Sequence, residues 1–172
     1  MLKIKPPDYQ FCPFCGKKLE IKIEDKKERK FCSGCKWTYY PHVAASANAI
    51  IVKGKKVLMV KRAREPFKNT WMFPAGFIEY GEHPIETITR ELKEETGLTL
   101  KKAEFFNIFQ SEDDPRSPGH FAIFYLVEAE GSKIKTEKEE NKDIAWVDIN
   151  QPPKIGWKWH KYIFRLLQKK GI

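Results

Sequence analysis

GFIEYGEHPIETITRELKEETGL, residues 76–98, carries the strongest pattern in this chain, a helix with one apolar and one acidic edge. Pro84 suits the first turn of a helix and Gly97 suits its C-terminal stop, so the spacing predicts a helix between them. At about 100° per residue, one edge of that helix is apolar and can face a core, while the adjacent edge is acidic. Three glutamates share the acidic edge, and they are Glu91, Glu94 and Glu95.

The clustered carboxylates have two explanations. Like charges on one helical edge repel one another, so the cluster needs either bulk water or a cation. Mg²⁺ is a hard cation that prefers oxygen ligands, and it therefore suits such a site. A solvated glutamate-rich face accounts for the spacing equally well, and the residues alone leave both explanations open.

Length and composition limit the kinds of protein that this chain can be. Its 172 residues allow one ordinary domain and a small satellite. A content of 41% hydrophobic and 32% charged residues is typical of a globular protein and not of a disordered or membrane protein. No apolar run approaches the roughly 20 residues of a spanning helix, and the start does not resemble a signal peptide. We therefore expect a cytoplasmic protein with no membrane partner.

Positive charge is concentrated near the N-terminus. The net charge is +9, and residues 1–42 contribute +5 of it, from 10 Lys and Arg against 5 Asp and Glu. A basic surface favours an anionic partner, either the phosphates of a nucleotide or a nucleic acid. A solvated lysine-rich face is an equally simple explanation, so charge alone does not identify the partner.

All the cysteines lie in the first 35 residues, in two C-x₂-C pairs separated by sixteen residues. This spacing is typical of four-cysteine zinc sites, and Gly16 and Gly34 give the two turns backbone freedom. We favour a structural zinc over a redox pair or buried thiols because every cysteine is used. Residues 19–31 predict two short strands, so the metal should fold a ribbon at about residues 8–42. The predicted zinc ligands are Cys12, Cys15, Cys32 and Cys35.

The rest of the chain mixes strand and helix patterns, which indicates an α/β or α+β domain. Two apolar runs, 43–52 and 57–60, flank a glycine-containing turn and predict a hairpin. Apolar residues at helical spacing within 159–167 predict a second helix. Segments 111–119 and 130–142 are polar and predict exposed loops. Three later strands are predicted at Ala103–Gln110, Phe121–Val127 and Ile144–Val147.

Residues 76–98 resemble the Nudix box, in which Gly, five residues and Glu precede seven residues and Arg-Glu-apolar-x-Glu-Glu-x-Gly-apolar, and every fixed position matches. Residues 57–76, VLMVKRAREPFKNTWMFPAG, are similar to the approach to that box in Nudix enzymes that carry an N-terminal zinc ribbon. The resemblance implies an α/β fold, a three-layer α/β/α Nudix sandwich with a mixed sheet, preceded by a small zinc-ribbon β module. It divides the chain into a zinc ribbon, 1–42, and a Nudix hydrolase domain, 43–172.

The resemblance also implies a chemistry, the hydrolysis of a pyrophosphate bond in a nucleoside diphosphate linked to another moiety. The expected substrate is ADP-ribose or a related ADP-containing dinucleotide, with AMP as one product. The catalytic cofactor would be Mg²⁺ or Mn²⁺, about two or three ions, beside one structural zinc, and dimerisation is implied by the resemblance alone. Arg90 with Glu82 would orient the cation ligands through a charge-assisted pair. By motif position, those ligands are the carbonyl of Ala75 and the carboxylates of Glu91, Glu94 and Glu95.

Downstream of the box the chain departs from one branch of the family. Zinc-ribbon NADH pyrophosphatases carry a Ser-Gln-Pro-Trp-Pro-Phe-Pro-type array, whereas residues 105–121 read FFNIFQSEDDPRSPGHF. Pro115 and Pro118 lie near the place where ADP-ribose hydrolases of the family tend to have a proline. The alternatives are a FAD or NADH pyrophosphatase, an RNA 5′-end pyrophosphohydrolase and a non-enzymatic nucleotide sensor. The intact set of carboxylates argues against the sensor, and a nucleic acid is the less favoured partner.

A general base for the hydrolysis is expected in the segment 130–142, the acid-rich loop downstream of the box. Glu139 and Glu140 are the candidates, and Glu140 is preferred because it is nearer the strand predicted to begin at Ile144 and so is better anchored. A mobile, solvated run of charge is the other explanation. The histidines lack partners at metal-ligand spacing and are expected to be structural or, for His83, exposed. Four tryptophans are expected in the core or in a lid, with one of them able to contact an adenine: Trp71, Trp146, Trp157 and Trp159.

Overall fold

The structure is a computed structural model that describes residues 8–131 and 139–171. Its contacts divide the chain into two compact units, of which the first ends at Val43 and the second begins at Ala44. Within the described ranges, no helix is long and apolar enough to cross a bilayer.

The first unit is built on a two-stranded antiparallel sheet. Strands β1 (Glu20–Glu24) and β2 (Lys27–Phe31) pair along their whole length. Asp25 and Lys26 connect them with positive φ angles, and such a turn matches the right-handed twist of the strands. The prediction of two short strands joined by a charged turn is therefore confirmed.

Within the described ranges, the second unit contains eight strands and two helices. The strands are β3 (Ala45–Ile50), β4 (Val52–Lys53), β5 (Lys56–Arg62), β6 (Trp71–Met72), β7 (Ala75–Phe77), β8 (Thr99–Gln110), β9 (Phe121–Glu130) and β10 (Asn141–Asp148). The predicted strands 103–110, 121–127 and 144–147 lie within β8, β9 and β10. The helices are α1 (Pro84–Thr96) and α2 (Lys158–Lys170).

The strands of the second unit form two sheets. One has the order β10–β5–β4, with β6 also paired to β5, and the other has the order β7–β3–β9–β8. In the second sheet β3 runs parallel to β9 and antiparallel to β7, so this sheet is mixed, as predicted. β7 lies at its edge, which leaves one side of that strand open to side chains from α1.

The predicted hairpin between the runs 43–52 and 57–60 is wrong for most of its length. Only the short strand β4 pairs with β5 across the turn at Gly54, while β3 pairs with β7 and β9 instead. The physical reason is that residues 46–51 are buried on both faces, as in an inner strand covered on both sides. A continuous apolar run indicates burial but does not specify which strand becomes the partner.

The helices cover opposite faces of the sheets. Ala49 of β3 packs in one apolar cluster with Leu92 of α1, and its neighbour Ile50 packs in another cluster with Ile163 of α2. Because successive residues of a strand point to opposite faces, α1 and α2 lie on the two sides of β3. This is the predicted three-layer α/β/α arrangement.

Helix α1 has both of the end signals that its sequence predicts. His83 caps the N-terminus, where its side chain accepts a hydrogen bond from the Ile85 N–H at 3.2 Å and Glu86 accepts one from the His83 N–H at 2.7 Å. Gly97 ends the helix with φ of 74°, and its N–H donates to the Lys93 carbonyl. These caps hold α1 in register against the edge strand β7. His83 is exposed, as predicted.

Candidate active site

The acidic edge of α1 opens onto a cavity of about 240 Å³. Glu91 and Glu95 line this cavity, whereas Glu94 does not, and the side chain of Glu94 is half exposed. Helical spacing places the three glutamates on one edge, but the packing of α1 decides which of them face the cavity. The structure therefore brings two of the three predicted carboxylate ligands together inside the cavity, and Ala75, the predicted carbonyl ligand, lines it as well.

Glu95 is a buried carboxylate with 3% of its surface exposed. One oxygen accepts a hydrogen bond from the Ala75 N–H at 2.9 Å, and the other accepts one from the Asn141 amide at 2.7 Å. Burial raises the pKa of Glu95 to about 8, because two hydrogen bonds do not replace the water that the charged form loses. A cation bound beside it would offset this cost and keep Glu95 ionised.

The side chain of Glu91 projects from α1 and packs against Gly76 of β7. Burial raises the pKa of Glu91, against the opposing effect of its ion pair with Arg90. A Cβ atom at Gly76 would overlap the carboxylate of Glu91. The first glycine of the motif is thus required for close approach of the Glu91 carboxylate to the backbone.

Arg90 connects the carboxylates on this edge of the helix. Its Nε and Nη2 atoms donate to the two oxygens of Glu82 at 2.7 and 3.0 Å, and Nη1 donates to Glu91 at 2.5 Å. Hydrogen bonds from Arg90, and then from Thr87, lower the pKa of Glu82 to about 2. Glu82 therefore stays ionised at neutral pH, and its two-point contact sets the plane of the Arg90 guanidinium. The predicted pair of Arg90 and Glu82 is present in the structure.

The backbone of Ala75 points towards the acidic edge of α1. On either side of Ala75, the Pro74 carbonyl and the Ile78 N–H form hydrogen bonds with β3. The N–H of Ala75 donates to Glu95 instead. The N–H and C=O of one strand residue share a side, so the Ala75 carbonyl lies on the open edge of β7. Its oxygen and the two carboxylates form an all-oxygen donor set, which fits a hard cation such as Mg²⁺.

Asn141, which the sequence did not single out, completes this side of the cavity. It is 1% exposed and lies at the start of β10, where its Nδ2 donates to Glu95. Its Oδ1 atom is buried and has no hydrogen-bond partner among the described residues. A buried acceptor of this kind requires a donor or a cation in the functioning protein, which agrees with the donor set around it.

The segment 111–119, predicted as an exposed loop, forms another wall of the cavity. Asp114 is 2% exposed and accepts hydrogen bonds from Nε and Nη2 of Arg116 at 3.0 and 2.6 Å. Burial would raise the pKa of Asp114, but the hydrogen bonds from Arg116 outweigh it and hold that pKa below its usual value. The segment is a loop, as predicted, with residues 112, 115, 116 and 118 exposed, but Ser111, Asp114 and Gly119 are buried. The difference arises because polar residues that satisfy one another can be buried, and sequence polarity does not reveal such pairing.

The third wall combines aromatic and basic side chains from β5 and α2. Arg62, Trp157 and His160 line it, and Trp159 contributes at its rim. The imidazole of His160 is buried and stacks on Phe73, and this burial lowers the pKa of His160 to about 3. Arg62 was missed, and His160 was expected to be only structural, because no local spacing connects β5 with α2. The tryptophans expected in a core or lid thus include two that face the cavity.

Of the two candidate general bases, only Glu140 lines the cavity. Its carboxylate pairs with Arg64 at 3.0 Å, and its backbone carbonyl accepts a hydrogen bond from Ala63 at 2.7 Å, which anchors it beside β5. Glu139 points to solvent, with 83% of its side chain exposed. Residues 132–138 of the predicted loop lie outside the described residues. The choice of Glu140 stays a prediction, which this placement favours.

In the first unit the four cysteines form a site that fits a zinc ion. Their Sγ atoms lie within 4.8 Å of one another, and a tetrahedron with arms of about 2.3 Å has edges of about 3.8 Å. The Cys35 N–H donates to Cys32, which is the main reason that the pKa of Cys32 is lowered to about 7. Gly16 has a positive φ as its turn requires, but in the second turn Lys36, and not Gly34, has this conformation.

Comparison with known families gives two matches. The model of the NUDIX domain matches residues 41–167, and the model described as Nudix N-terminal, a zinc ribbon, matches residues 10–41. The ADP-ribose pyrophosphatase of Methanocaldococcus jannaschii is 35% identical over 150 residues, which cover 86% of this chain and 84% of that protein. The NAD-capped RNA hydrolase NudC of Pectobacterium carotovorum is 28% identical over 86% of this chain, and the chain spans about half of its length, 54%.

Solved structures show the same fold at low sequence identity. A NUDIX hydrolase from Nitrosomonas europaea superposes with a TM-score of 0.74 at 21% identity, over 94% of this chain and 92% of that one. The NUDIX domain of Shewanella oneidensis NrtR, solved in complex with ADP ribose, superposes with a TM-score of 0.63 at 20% identity, over 76% of this chain and 90% of that one.

Proposed function

The chain belongs to the NUDIX domain family, and from that membership we propose that it is a Mg²⁺-dependent pyrophosphohydrolase whose substrate is ADP-ribose or a related ADP-containing dinucleotide, with AMP as one product. The relative from M. jannaschii, which is named for this activity and matched over most of both chains, supports the choice of substrate. The absence of the NADH-type array after the motif favours the same choice.

One observation carries the proposal: acidic and basic groups line a single cavity. Glu91 and Glu95 lie on the side formed by α1, and Arg62 and Arg116 lie on the walls formed by β5 and the 111–119 segment. Carboxylates suit a divalent cation, and guanidinium groups suit phosphate oxygens. A diphosphate that carries a cation needs both kinds of group at once.

The proposed mechanism assigns a task to each residue of the acidic edge. Bound divalent cations would neutralise the oxygens of the diphosphate and activate the attacking water. Arg90, held by Glu82, keeps Glu91 from turning away from the cavity, and Asn141 does the same for Glu95. This preorganisation means that Glu91 and Glu95 do not have to rearrange when the substrate enters, whereas Glu94, which does not line the cavity, would have to turn towards it. The residues proposed to hold the cations are Ala75, through its carbonyl, Glu91, Glu94 and Glu95.

The hydrolysis itself exchanges one P–O bond for another. The water oxygen bonds to one phosphorus, the bond from that phosphorus to the bridging oxygen breaks, and the bridging oxygen leaves with the other phosphate. Glu140 is proposed to take the proton that the attacking water releases, because its carboxylate lines the cavity and its backbone is anchored to β5. Arg64 is the ion-pair partner of Glu140.

The test is a substrate panel with identification of the products. ADP-ribose, FAD, NADH, a dinucleoside polyphosphate and 5′-triphosphate RNA are incubated with the protein and Mg²⁺, and the products are resolved by mass spectrometry. We expect AMP and ribose 5-phosphate from ADP-ribose, at a higher kcat/KM than for the other compounds. If none of these compounds is hydrolysed, the proposal that the protein is a pyrophosphohydrolase is rejected. If another compound of the panel is hydrolysed faster than ADP-ribose, that compound becomes the proposed substrate.

A second candidate activity is hydrolysis at the capped 5′ end of RNA, which is the activity named for the NudC relatives. The observation in its favour is that the first unit exposes aromatic rings, Phe11, Phe14 and Tyr40, on a lysine-rich ribbon. Exposed rings among cations are the groups on which single-stranded bases stack. Competition between ADP-ribose and NAD-capped RNA in one reaction distinguishes the two activities.

We assign one structural zinc per chain to the cysteine site. With four thiolates as ligands, no coordination position remains for water, so this ion takes no part in the hydrolysis. Its proposed role is to hold together the ribbon.

A further inference from the structure

The mechanism above gives no specific contact to two polar side chains of the cavity, Arg62 at the end of β5 and His160 in the first turn of α2. Both pack against Trp157. The guanidinium carbon of Arg62 lies 4.7 Å from the centroid of the indole, and the imidazole centroid of His160 lies 5.7 Å from it. The two side chains are therefore separated by no more than the indole of Trp157.

The hydrogen bonds of His160 determine where its proton lies. Nδ1 accepts a hydrogen bond from the backbone N–H of Phe73 at 3.1 Å, so the neutral ring carries its proton on Nε2. Among the described residues, no protein group accepts a hydrogen bond from Nε2, yet this atom is not among the buried atoms that lack a partner. Nε2 is therefore not fully enclosed, and the cavity is a space that His160 lines. His160 presents a fixed, uncharged N–H donor there.

Arg62 is a half-buried cation whose guanidinium donates to main-chain carbonyls. Nε donates to the Pro66 carbonyl at 2.8 Å and Nη2 to the Glu65 carbonyl at 3.4 Å, while Nη1 reaches the sulfur of Met72 at 3.6 Å. Burial lowers the pKa of Arg62, although an arginine stays charged at neutral pH. Within the described residues, the neighbouring carboxylates Asp114 and Glu140 form their ion pairs with Arg116 and Arg64 and not with Arg62. Burial of the Arg62 charge is unfavourable, and an anionic ligand in direct contact would relieve this cost.

The position of Arg62 connects this pair to the acidic edge. Arg62 lies directly opposite Asn141 in the β5–β10 ladder, and Asn141 donates to Glu95. Side chains of directly opposed residues have Cβ atoms about 5 Å apart. Polar side chains therefore follow one another from Glu95 through Asn141 to Arg62, and the indole of Trp157 contacts both Arg62 and His160. A diphosphate with one phosphate at the carboxylates places its other phosphate beside Arg62.

We propose that Arg62 and His160 form a subsite for the phosphate of the substrate that is not attacked, with the guanidinium and the imidazole N–H holding the same group. The inference rests on the proposed function, because it takes a diphosphate as the ligand. A phosphate suits the pair better than a neutral base does, since it neutralises the charge of Arg62 and has oxygens to spare for the N–H of His160. The hydrolysis mechanism does not require this subsite, so it can be tested separately.

The probe is α,β-methylene-ADP, a diphosphate with a carbon bridge that cannot be hydrolysed at that position, and its affinity is measured calorimetrically with Mg²⁺ present. Arg62→Met and His160→Phe should each weaken binding by about tenfold or more, which is the usual effect of losing a hydrogen bond to a charged group. Lys61→Met is the matched control. It removes the charge of the residue that precedes Arg62 in β5, and because Lys61 does not line the cavity, binding should be unchanged.

Two further variants make the result specific to a shared phosphate. His160→Gln keeps an N–H donor and should retain affinity within about threefold, and thermal unfolding of every variant separates lost contacts from lost folding. The double variant should lose little more affinity than the single variant that binds the probe less tightly, because the two residues hold one group. Additive losses would overturn the shared subsite, as would unchanged binding in both single variants. If binding falls as expected while no ADP-containing substrate is hydrolysed, the subsite stands and the proposed function fails.

Discussion

At the scale of single residues, Gly76 shows that a missing side chain can be a structural requirement of the site. The Glu91 carboxylate occupies the space that a Cβ of residue 76 would need. Because the backbone of β7 is held by β3, the carboxylate has to move when a methyl group is added. The glycine therefore matters through Glu91.

We predict that Gly76→Ala lowers kcat by at least about tenfold, because it displaces Glu91 from its position beside the cavity. Steady-state kinetics with saturating Mg²⁺ measure this, and thermal unfolding shows whether the fold is kept. Gly54→Ala is a control for substitution of a glycine in the same unit, since a Cβ there meets nothing within 4 Å although its φ is positive. A normal kcat for Gly76→Ala would mean that Glu91 does not act in catalysis.

Glu95 is a second residue whose effect follows from its own surroundings. Its pKa in the folded protein, about 8, is above the usual 4.5, so the folded state holds its proton more tightly than the unfolded state does. Without a cation, the free energy of unfolding should then fall as pH rises from about 4.5 to 8, and the full penalty is present above 8. Its size is a few kcal/mol, because each unit of pKa corresponds to about 1.4 kcal/mol.

We predict that Glu95→Gln removes this pH dependence and abolishes turnover. In protein prepared without Mg²⁺, the variant should unfold at a higher temperature than the wild type at pH 8 and at a similar temperature at pH 5. Denaturation at the two pH values tests stability, and the substrate panel tests activity. A wild-type protein that is equally stable at both values would contradict the assignment of a buried, protonated Glu95.

At the scale of elements, the start of β10 brings residues into the cavity that no local pattern connects with α1. The register between β10 and β5 shifts between Asn141 and Asp143, and such an irregularity re-aims the neighbouring side chains. Asn141 consequently contacts Glu95, and Glu140 reaches the cavity.

For this segment we predict that Glu140→Gln lowers kcat by about tenfold or more, as expected for a positioned base. Glu139→Gln is the matched control, because it removes the same charge one residue earlier from a side chain that points to solvent. Turnover at saturating substrate and Mg²⁺, measured across a range of pH, gives the comparison. Equal effects of the two substitutions would place the base elsewhere, with Glu91 as the next candidate.

At the scale of the whole molecule, the two compact units differ in how they can be stabilised. Two apolar clusters with residues from both helices hold the second unit together. In the described part of the first unit, the buried hydrophobic side chains are Cys12, Cys32 and Tyr39, and two of these three are ligands of the metal site. So small a core does not offset the entropy of ordering the ribbon, and the metal has to do so.

We predict one zinc per chain by elemental analysis, and loss of the folded ribbon in the double variant Cys12→Ser, Cys32→Ser. Limited proteolysis should then cut within residues 8–42, while the wild type resists cleavage there. Ser33→Ala, next to a ligand, is the control and should keep both the zinc and the resistance. A zinc-free wild type, or a resistant double variant, would show that the ribbon does not depend on the metal.

Features that depend on local spacing could be predicted from the sequence alone. Helix α1, with its proline and glycine ends and its acidic edge, follows from angular positions along one helix. The pair of Arg90 with Glu82, which lies before the helix, was implied by the resemblance to the Nudix box. The cysteine pairs follow from the reach of a tight turn around one ion. These interactions join residues close in sequence, so their geometry is contained in their spacing.

Which of those groups lie together could be seen in the tertiary structure alone. Glu94 points away from the cavity, and β3 is an inner strand of the mixed sheet. Asp114 is buried in a segment that has the composition of an exposed loop. It also joined Arg62, Asn141 and His160, which lie on three different elements. The physical reason is that cavities and buried polar pairs form between elements distant in sequence. Periodicity describes which face of an element is apolar, but the partner of that face is set by the packing of the whole unit.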